Sequence, residues 1–259
     1  MTAASTVPRP RVVGSGPHRV IAAHDWLVPT GTWGPFLECL DGSRFSCALL
    51  DARGYGRRAA VPGTFSMREL ADDALALAGR LGWRECSFVG HSMSAKALHL
   101  AAAEAPSWLR VRKLVGITPT PPGPAGIGER EWAAFLAAVH SADARRALLD
   151  FSTGNRAGAG WLDRMTRASL DGSSPAAFAA YARSFAYDDL RCPVPGARGM
   201  PVKVFAGEHD LAIPESTVRE AWTASHPGAE VEVLSGAGHY PMHETPVALA
   251  ARVESFLAA

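Results

Sequence analysis

Gly90-His91-Ser92-Met93-Ser94 is the stretch on which the fold turns. It follows a short apolar run, Cys86-Ser87-Phe88-Val89, and opens a run rich in helix formers over residues 95–105. A strand, a sharp turn centred on a serine and then a helix make up a nucleophile elbow. Such a turn lifts the hydroxyl above the sheet edge. It also aims the first backbone N–H groups of the helix at whatever the serine attacks. The closely packed turn needs small neighbours, and Gly90 and Ser94 meet that need, with Ser94 in the place where G-x-S-x-G has its second glycine. The competing reading of the pentapeptide is a serine that only N-caps a helix.

A serine hydroxyl is a weak nucleophile near neutral pH. It needs a base within hydrogen-bond reach, and the base needs an acid to hold its tautomer. Both candidates sit just beyond apolar runs. Gly207-Glu208-His209-Asp210 follows residues 202–206 and offers Asp210 as the acid, with Glu208 as the alternative. Ser235-Gly236-Ala237-Gly238-His239 follows residues 230–234 and offers His239 as the base. His209, next to the acid, reads as packing or loop structure. His243 has a spacing that could bring it to a pocket rim. His226, before Pro227, reads as a solvent-exposed residue at a helix end.

Around these motifs, short apolar runs alternate with helical patterns. The predicted strands are residues 11–13, 19–23, 45–50, 86–89, 113–117, 202–206 and 230–234. Several are almost continuously apolar, as expected when helices cover both faces of a parallel sheet. Ser66-Met67-Arg68-Glu69 is a capping-box match that starts a helix to about Leu81, and a last helix is expected over residues 245–257. Strand–helix alternation argues for an α/β fold with a mostly parallel, doubly wound sheet. The alternation stops between residues 118 and 200. Helical patterns at 129–140, 143–151, 160–170 and 175–185 lie there between proline-rich segments at 118–124 and 192–196. The expected organisation is a core of residues 1–117 and 201–259, with residues 118–200 inserted as a helical cap.

At 259 residues the chain is long enough to bury a substantial core, and 47% hydrophobic with 20% charged residues is ordinary for a globular protein. A net charge of +1 gives no argument for nucleic acid or an anionic membrane surface. Arg57-Arg58 and Arg145-Arg146 read as solvated surface. Cys39, Cys47, Cys86 and Cys192 show neither zinc-ligand nor disulfide spacing, so no metal is expected, and Cys47 and Cys86 read as buried free thiols. Residues 1–16 lack the apolar region of a secretory signal, and no apolar stretch reaches membrane-spanning length. A cytoplasmic location is expected.

Gly-His-Ser-Met at the elbow, Gly-Glu-His-Asp after a late strand and Gly-Ala-Gly-His before the last helix together resemble the α/β-hydrolase superfamily. So does Asp51-Ala52-Arg53-Gly54-Tyr55-Gly56, and the likeness spans residues 12–257. The chain order Ser, Asp, His is that of the superfamily. The resemblance implies a triad of Ser92, Asp210 and His239. It also implies an oxyanion hole from the N–H groups of Met93 and Trp26. Members commonly carry His-Gly before the second donor, whereas this chain has His24-Asp25-Trp26. A carboxylate beside a developing oxyanion is unfavourable unless it points away. His24 is expected to hydrogen-bond the loop backbone, and Arg53 to tie its own loop to neighbouring carbonyls.

Leu27, beside the serine, and Trp132, Trp161 and Tyr181 of the helical stretch are the candidate pocket residues. Most aromatics of that stretch, Phe135, Phe178 and Phe185 among them, read as its own small core. The implied activity is cofactor-independent hydrolysis of a small-molecule carboxylic ester or lactone through an acyl-enzyme on Ser92. Hydrolysis of a C–C or amide bond, or perhydrolysis, would use the same triad. A ligand sensor on a hydrolase scaffold is the non-enzymatic alternative.

Overall fold

The computed structural model describes residues 8–191 and 199–259. Seven strands, β1 (Arg11–Val13), β2 (His18–Ala23), β3 (Phe45–Leu50), β4 (Glu85–His91), β5 (Arg110–Ile117), β6 (Val202–Gly207) and β7 (Glu230–Leu234), form one sheet. Its order is β1-β3-β2-β4-β5-β6-β7, and β1 alone runs antiparallel to its neighbour. All seven predicted strands are present. β4 and β5 begin earlier than their apolar runs because pairing of Glu85 with Arg110 extends the ladder through charged residues at the sheet edge.

Helices α1 (Gly34–Cys39), α2 (Met67–Arg80), α3 (Met93–Ala103), α8 (Glu215–Ser225) and α10 (Pro246–Ala258) connect or follow the strands, with the short α9 (Pro241–Glu244) before the last. Four more, α4 (Glu129–Ala138), α5 (Ala142–Ser152), α6 (Ala159–Asp171) and α7 (Pro175–Tyr187), lie between β5 and β6. Ser66 caps α2 as predicted, its hydroxyl accepting the Glu69 N–H at 3.2 Å. Glu69 reaches further back than a capping box requires and accepts the N–H groups of Thr64 and Phe65.

Chain order places the site. From β2 the chain moves to β3 on one side, then returns to lay β4 against the other side of β2. The loops leaving β2 and β4 therefore diverge at a switch point, where open α/β sheets form their crevice. Ala23 pairs with Gly90 at the carboxyl ends of these strands, so residues 24–28 and the serine turn emerge side by side.

The stretch between β5 and β6 is helical, as predicted. Its opening segment is described, whereas the predicted hinge at 192–196 lies outside the described residues. Backbone bonds from Gly56 N–H to Gly172 O and from Ser174 N–H to Gly54 O dock this stretch on the 51–58 loop. A buried lysine on the elbow helix adds a second tether. Lys96 donates to Gly123 O at 2.8 Å and Phe185 O at 2.9 Å, and burial lowers its pKa to about 8.

Two arginines expected at the surface are buried. Arg145 donates to Ala138 O, Val139 O, Ser169 O and the hydroxyls of Ser169 and Ser173, with its guanidinium 3.8 Å from the centre of the Phe178 ring. It thereby satisfies carbonyls left open at the end of α4, a need set by tertiary packing. Arg58 pairs with buried Asp73 at 2.8 Å and donates to Asp51 O. Arg53 reaches one carbonyl, Pro62 O, as expected, but its main partner is also Asp73, which accepts Arg53 Nε–H at 2.9 Å. Cys47 and Cys86 are buried free thiols whose pKa values burial pushes up to about 12. Among the described residues no helix is long and apolar enough to cross a membrane.

Candidate active site

Ser92 sits between β4 and α3 with φ 53° and ψ −118°. A side chain bearing a Cβ rarely adopts this backbone, and the conformation persists only where the surroundings hold it. Here they do: Ser92 N–H donates to Ile117 O at 2.9 Å, and Ser92 O accepts the N–H of Ala95 and Thr120. A Cβ on Gly90 would lie 2.4 Å from Ala95 Cα, so only glycine fits before the turn. The Ser92 side chain makes no capping bond to α3, which removes the competing N-cap reading. Ser94, in the place of the motif's last glycine, is fully buried and its hydroxyl donates to His24 O. The replacement thus ties the elbow to the loop after β2.

The candidate base and acid, His239 and Asp210, meet beyond the ends of β7 and β6. His239 Nδ1–H donates to Asp210 Oδ2 at 2.6 Å, which leaves Nε2 as an acceptor. Asp210 Oδ1 accepts the N–H groups of Ala212 and Ile213, both at 2.9 Å, so the whole carboxylate is oriented. Burial alone disfavours the imidazolium. The charge and hydrogen bond of Asp210, with the charges of Asp25 and Glu244, outweigh it and hold the His239 pKa above the ordinary imidazole value. The alternative acid, Glu208, is exposed and instead accepts Ser235 Oγ–H and Gly236 N–H. His209 lies beside it, half-buried in the same loop.

Four residues hold the backbone around His239. His91, the residue before Ser92, has its Nε2 2.8 Å from His239 O, and the carbonyl requires that Nε2 carry the proton. Thr118 Oγ–H donates to the same oxygen at 3.0 Å, and His239 N–H donates to Ser152 O at the end of α5. Glu244 accepts Gly238 N–H and Tyr240 N–H on either side of the histidine. Ser92 and His239 are only 6% and 5% exposed, so both are buried rather than on an open face.

The loop after β2 is built around its polar side chains. Ala52 N–H donates to His24 Nε2 at 2.9 Å, so the other ring nitrogen carries the proton and donates to Asp25 O at 2.5 Å. The ring serves the backbone, as expected. Asp25 accepts Leu27 N–H, Val28 N–H and Tyr240 O–H, which turns its carboxylate into the protein. Trp26 lies between Asp25 and Leu27 in this gripped turn, and its indole N–H donates to Phe178 O at 2.7 Å. Its ring packs on Phe135, Phe178 and Phe185, with centroids 4.7, 4.2 and 5.5 Å away. Met93 is the first residue of α3, where a backbone N–H has no partner within the helix.

The candidate pocket residues are spread apart. Leu27 is buried in the gripped loop. Trp161 lies against Tyr240 and His243, with centroids 5.4 and 5.8 Å away, one residue from the base. His243 is half-buried there, and burial lowers its pKa to about 4. Trp132 packs on Phe135 and Tyr187 further out. Tyr181 is fully buried between Tyr55 and Phe65, with Glu69 and Asp73 raising its phenol pKa after burial has done so. A cavity of about 1200 Å³ opens between the 121–126 and 220–229 segments and is lined by none of Ser92, Asp210 or His239. On that side His226 is buried, not solvent-exposed: its Nε2 meets His99 Nδ1 at 2.7 Å and its ring stacks on Trp222.

Residues His91, Thr118, Ser152, Tyr240 and Glu244 were not legible as site residues. Only His91 and Tyr240 carried a signal, adjacency to the serine and the histidine. Comparison with known proteins agrees with the fold. Residues 14–252 match the family model described as the alpha/beta hydrolase family. A non-heme haloperoxidase of Rhodococcus erythropolis is 27% identical over 245 residues, covering 87% of this chain and 86% of that protein. An esterase of Exiguobacterium antarcticum superposes with a TM-score of 0.83 at 17% identity, over 96% of this chain and 95% of the other. The enol-lactonase of Burkholderia xenovorans gives 0.77 at 23% identity, over 97% and 96%.

Proposed function

The chain belongs to the alpha/beta hydrolase family, and we propose that within it the protein is a cofactor-independent serine hydrolase of small carboxylic esters or lactones. The observation that carries this reading is the oriented pair of His239 and Asp210, with the His239 carbonyl bonded to His91, the residue before a strained serine that does not cap its own helix. In the proposed reaction Ser92 Oγ attacks the carbonyl carbon while His239 Nε2 takes its proton. Asp210 stabilises the imidazolium so formed, and the N–H groups of Met93 and Trp26 receive the oxyanion. The imidazolium then protonates the leaving alkoxide. Water, deprotonated by His239, releases the acid from the acyl-enzyme. Residues 118–200 act as a cap, and Leu27 and Trp161 are the pocket walls nearest the chemistry.

The test is covalent labelling with a fluorophosphonate followed by mapping of the modified residue. Labelling at Ser92, absent from Ser92→Ala, is expected, with model aryl-ester turnover in that variant reduced by on the order of 10⁴–10⁶. Labelling elsewhere, or undiminished turnover in Ser92→Ala, would overturn the reading. The haloperoxidase relative favours one second reading, in which hydrogen peroxide replaces water at the acyl-enzyme and a peracid leaves. Peracid formation from a short carboxylic acid and peroxide, measured beside ester hydrolysis, separates the two.

A further inference from the structure

Two side chains stand where the family pattern has glycine, Asp25 and Ser94, and both act on the same loop. Ser94 Oγ–H donates to His24 O from the elbow side. Asp25 grips the loop from within, accepting Leu27 N–H at 3.2 Å and Val28 N–H at 3.1 Å, and then crosses to Tyr240 O–H at 2.7 Å. Trp26 is the residue enclosed by these bonds. Tyr240 is the residue after His239, and Glu244 accepts its backbone N–H together with that of Gly238.

Resting on the acyl-transfer reading above, we propose that Asp25 is a positioning residue whose carboxylate braces the Trp26 turn against Tyr240, holding the oxyanion donor and the base in register. A carboxylate only 1% exposed is costly to bury, and among the described residues no lysine or arginine pairs with this one. The nearest basic nitrogen, His91 Nδ1, is 3.9 Å from Oδ1. Its proton is on Nε2, held by His239 O, and burial, then the nearby His239, keeps the His91 pKa well below the usual imidazole range. Nδ1 therefore faces Asp25 as a lone pair without a hydrogen-bond partner. Core filling would be met by an apolar side chain. A buried, hydrogen-bonded anion spanning two parts of a reactive site has a different use: it favours positive charge on His239, the charge that develops as Ser92 gives up its proton.

The groups facing His239 fit that use. Asp210 after β6, Asp25 after β2 and Glu244 on α9 favour the imidazolium, and Glu244 is itself paired with Arg156 at 3.3 Å. His91 and Tyr240 face the ring from β4 and from the next residue, with centroids 5.1 and 5.5 Å away. Of these anions, Asp25 alone is also bonded to the loop of the oxyanion donor.

The test measures kcat and KM on an aryl ester from pH 5 to 9, with fluorophosphonate labelling and melting temperature, for the parent, Asp25→Asn, Tyr240→Phe and Ser94→Gly. Asp25→Asn keeps the shape and removes the charge. It is expected to lower kcat about 10–100-fold with KM within about threefold, because the lost interactions matter in the transition state. The acid limb of its kcat/KM profile is expected to move down by about half a unit as one anion near His239 is lost. Tyr240→Phe removes only the cross-link, so kcat falls while the limb stays. Ser94→Gly restores the family residue and loses a smaller part of kcat. A folded Asp25→Asn with parental kcat and limb would overturn the proposal. If that variant fails to fold, parental kcat in Tyr240→Phe overturns the brace on its own. Failure of the parent to be labelled at Ser92 is a different result, which removes the acyl-transfer reading beneath it.

Discussion

Replacing Asp210 by asparagine is expected to disable the base, although the two side chains have the same shape. Asp210 Oδ1 accepts two backbone N–H groups, from Ala212 and Ile213. In Asp210→Asn the amide oxygen must stay on that side, so the NH₂ faces His239 Nδ1. Two donors then oppose each other, and the imidazole moves its proton to Nε2, where it cannot accept the serine proton. Reversing the amide would rescue the tautomer but strand the buried N–H of Ile213 and the part-buried N–H of Ala212, at roughly 4 kcal/mol for the pair. A penalty of about 4 kcal/mol leaves the productive arrangement near one part in 10³. Loss of the carboxylate's support for the imidazolium removes about another factor of ten. The expected fall in kcat is therefore about 10⁴, and Asp210→Ala, which forces no opposing donor on the ring, should fare no worse. The assay is acyl-enzyme formation on p-nitrophenyl acetate for both variants, with the tautomer read from imidazole nitrogen shifts. Asp210→Asn within about 100-fold of the parent, or clearly better than Asp210→Ala, would refute the reasoning.

Three more outcomes are expected. The His239 pKa is raised, and the base must be neutral to act, so kcat/KM should rise with pH through a limb above about 6.5; a limb well below that value would contradict the Asp210 and Asp25 effects. Gly90→Ala sets a Cβ 2.4 Å from Ala95 Cα, and urea unfolding should show a loss of at least about 2 kcal/mol, since backbone rather than a flexible side chain must move. Arg145→Met strips partners from the carbonyls of Ala138, Val139 and Ser169, and unfolding should show a loss of about 3 kcal/mol, with faster proteolysis within residues 129–187.

Residues whose role follows from local backbone geometry were readable in one dimension. The strand-turn-helix around Ser92, and Asp210 and His239 just past strand ends, needed only apolar runs and small turn residues to be located. Parallel strands between helical layers read as apolar runs for the same reason, so the sheet was legible strand by strand. Buried polar side chains were not legible, because their partners are remote in the chain. Arg58 and Arg145 looked like surface pairs until Asp73 and the end of α4 were folded onto them. His226 looked exposed until α8 laid it against His99, 127 residues away.

The line of division runs through the site itself. Sequence alone singled out one hydroxyl, one imidazole and one carboxylate as candidates, since each motif encodes its own turn. Tertiary structure decided how they are held: Tyr240 reaches Asp25 across 215 residues, and His91 reaches His239 O across 148. A hydrogen bond depends on position in space and leaves no periodicity behind, so only the folded chain could reveal that the odd aspartate after β2 turns into the protein and toward Tyr240, the residue after His239.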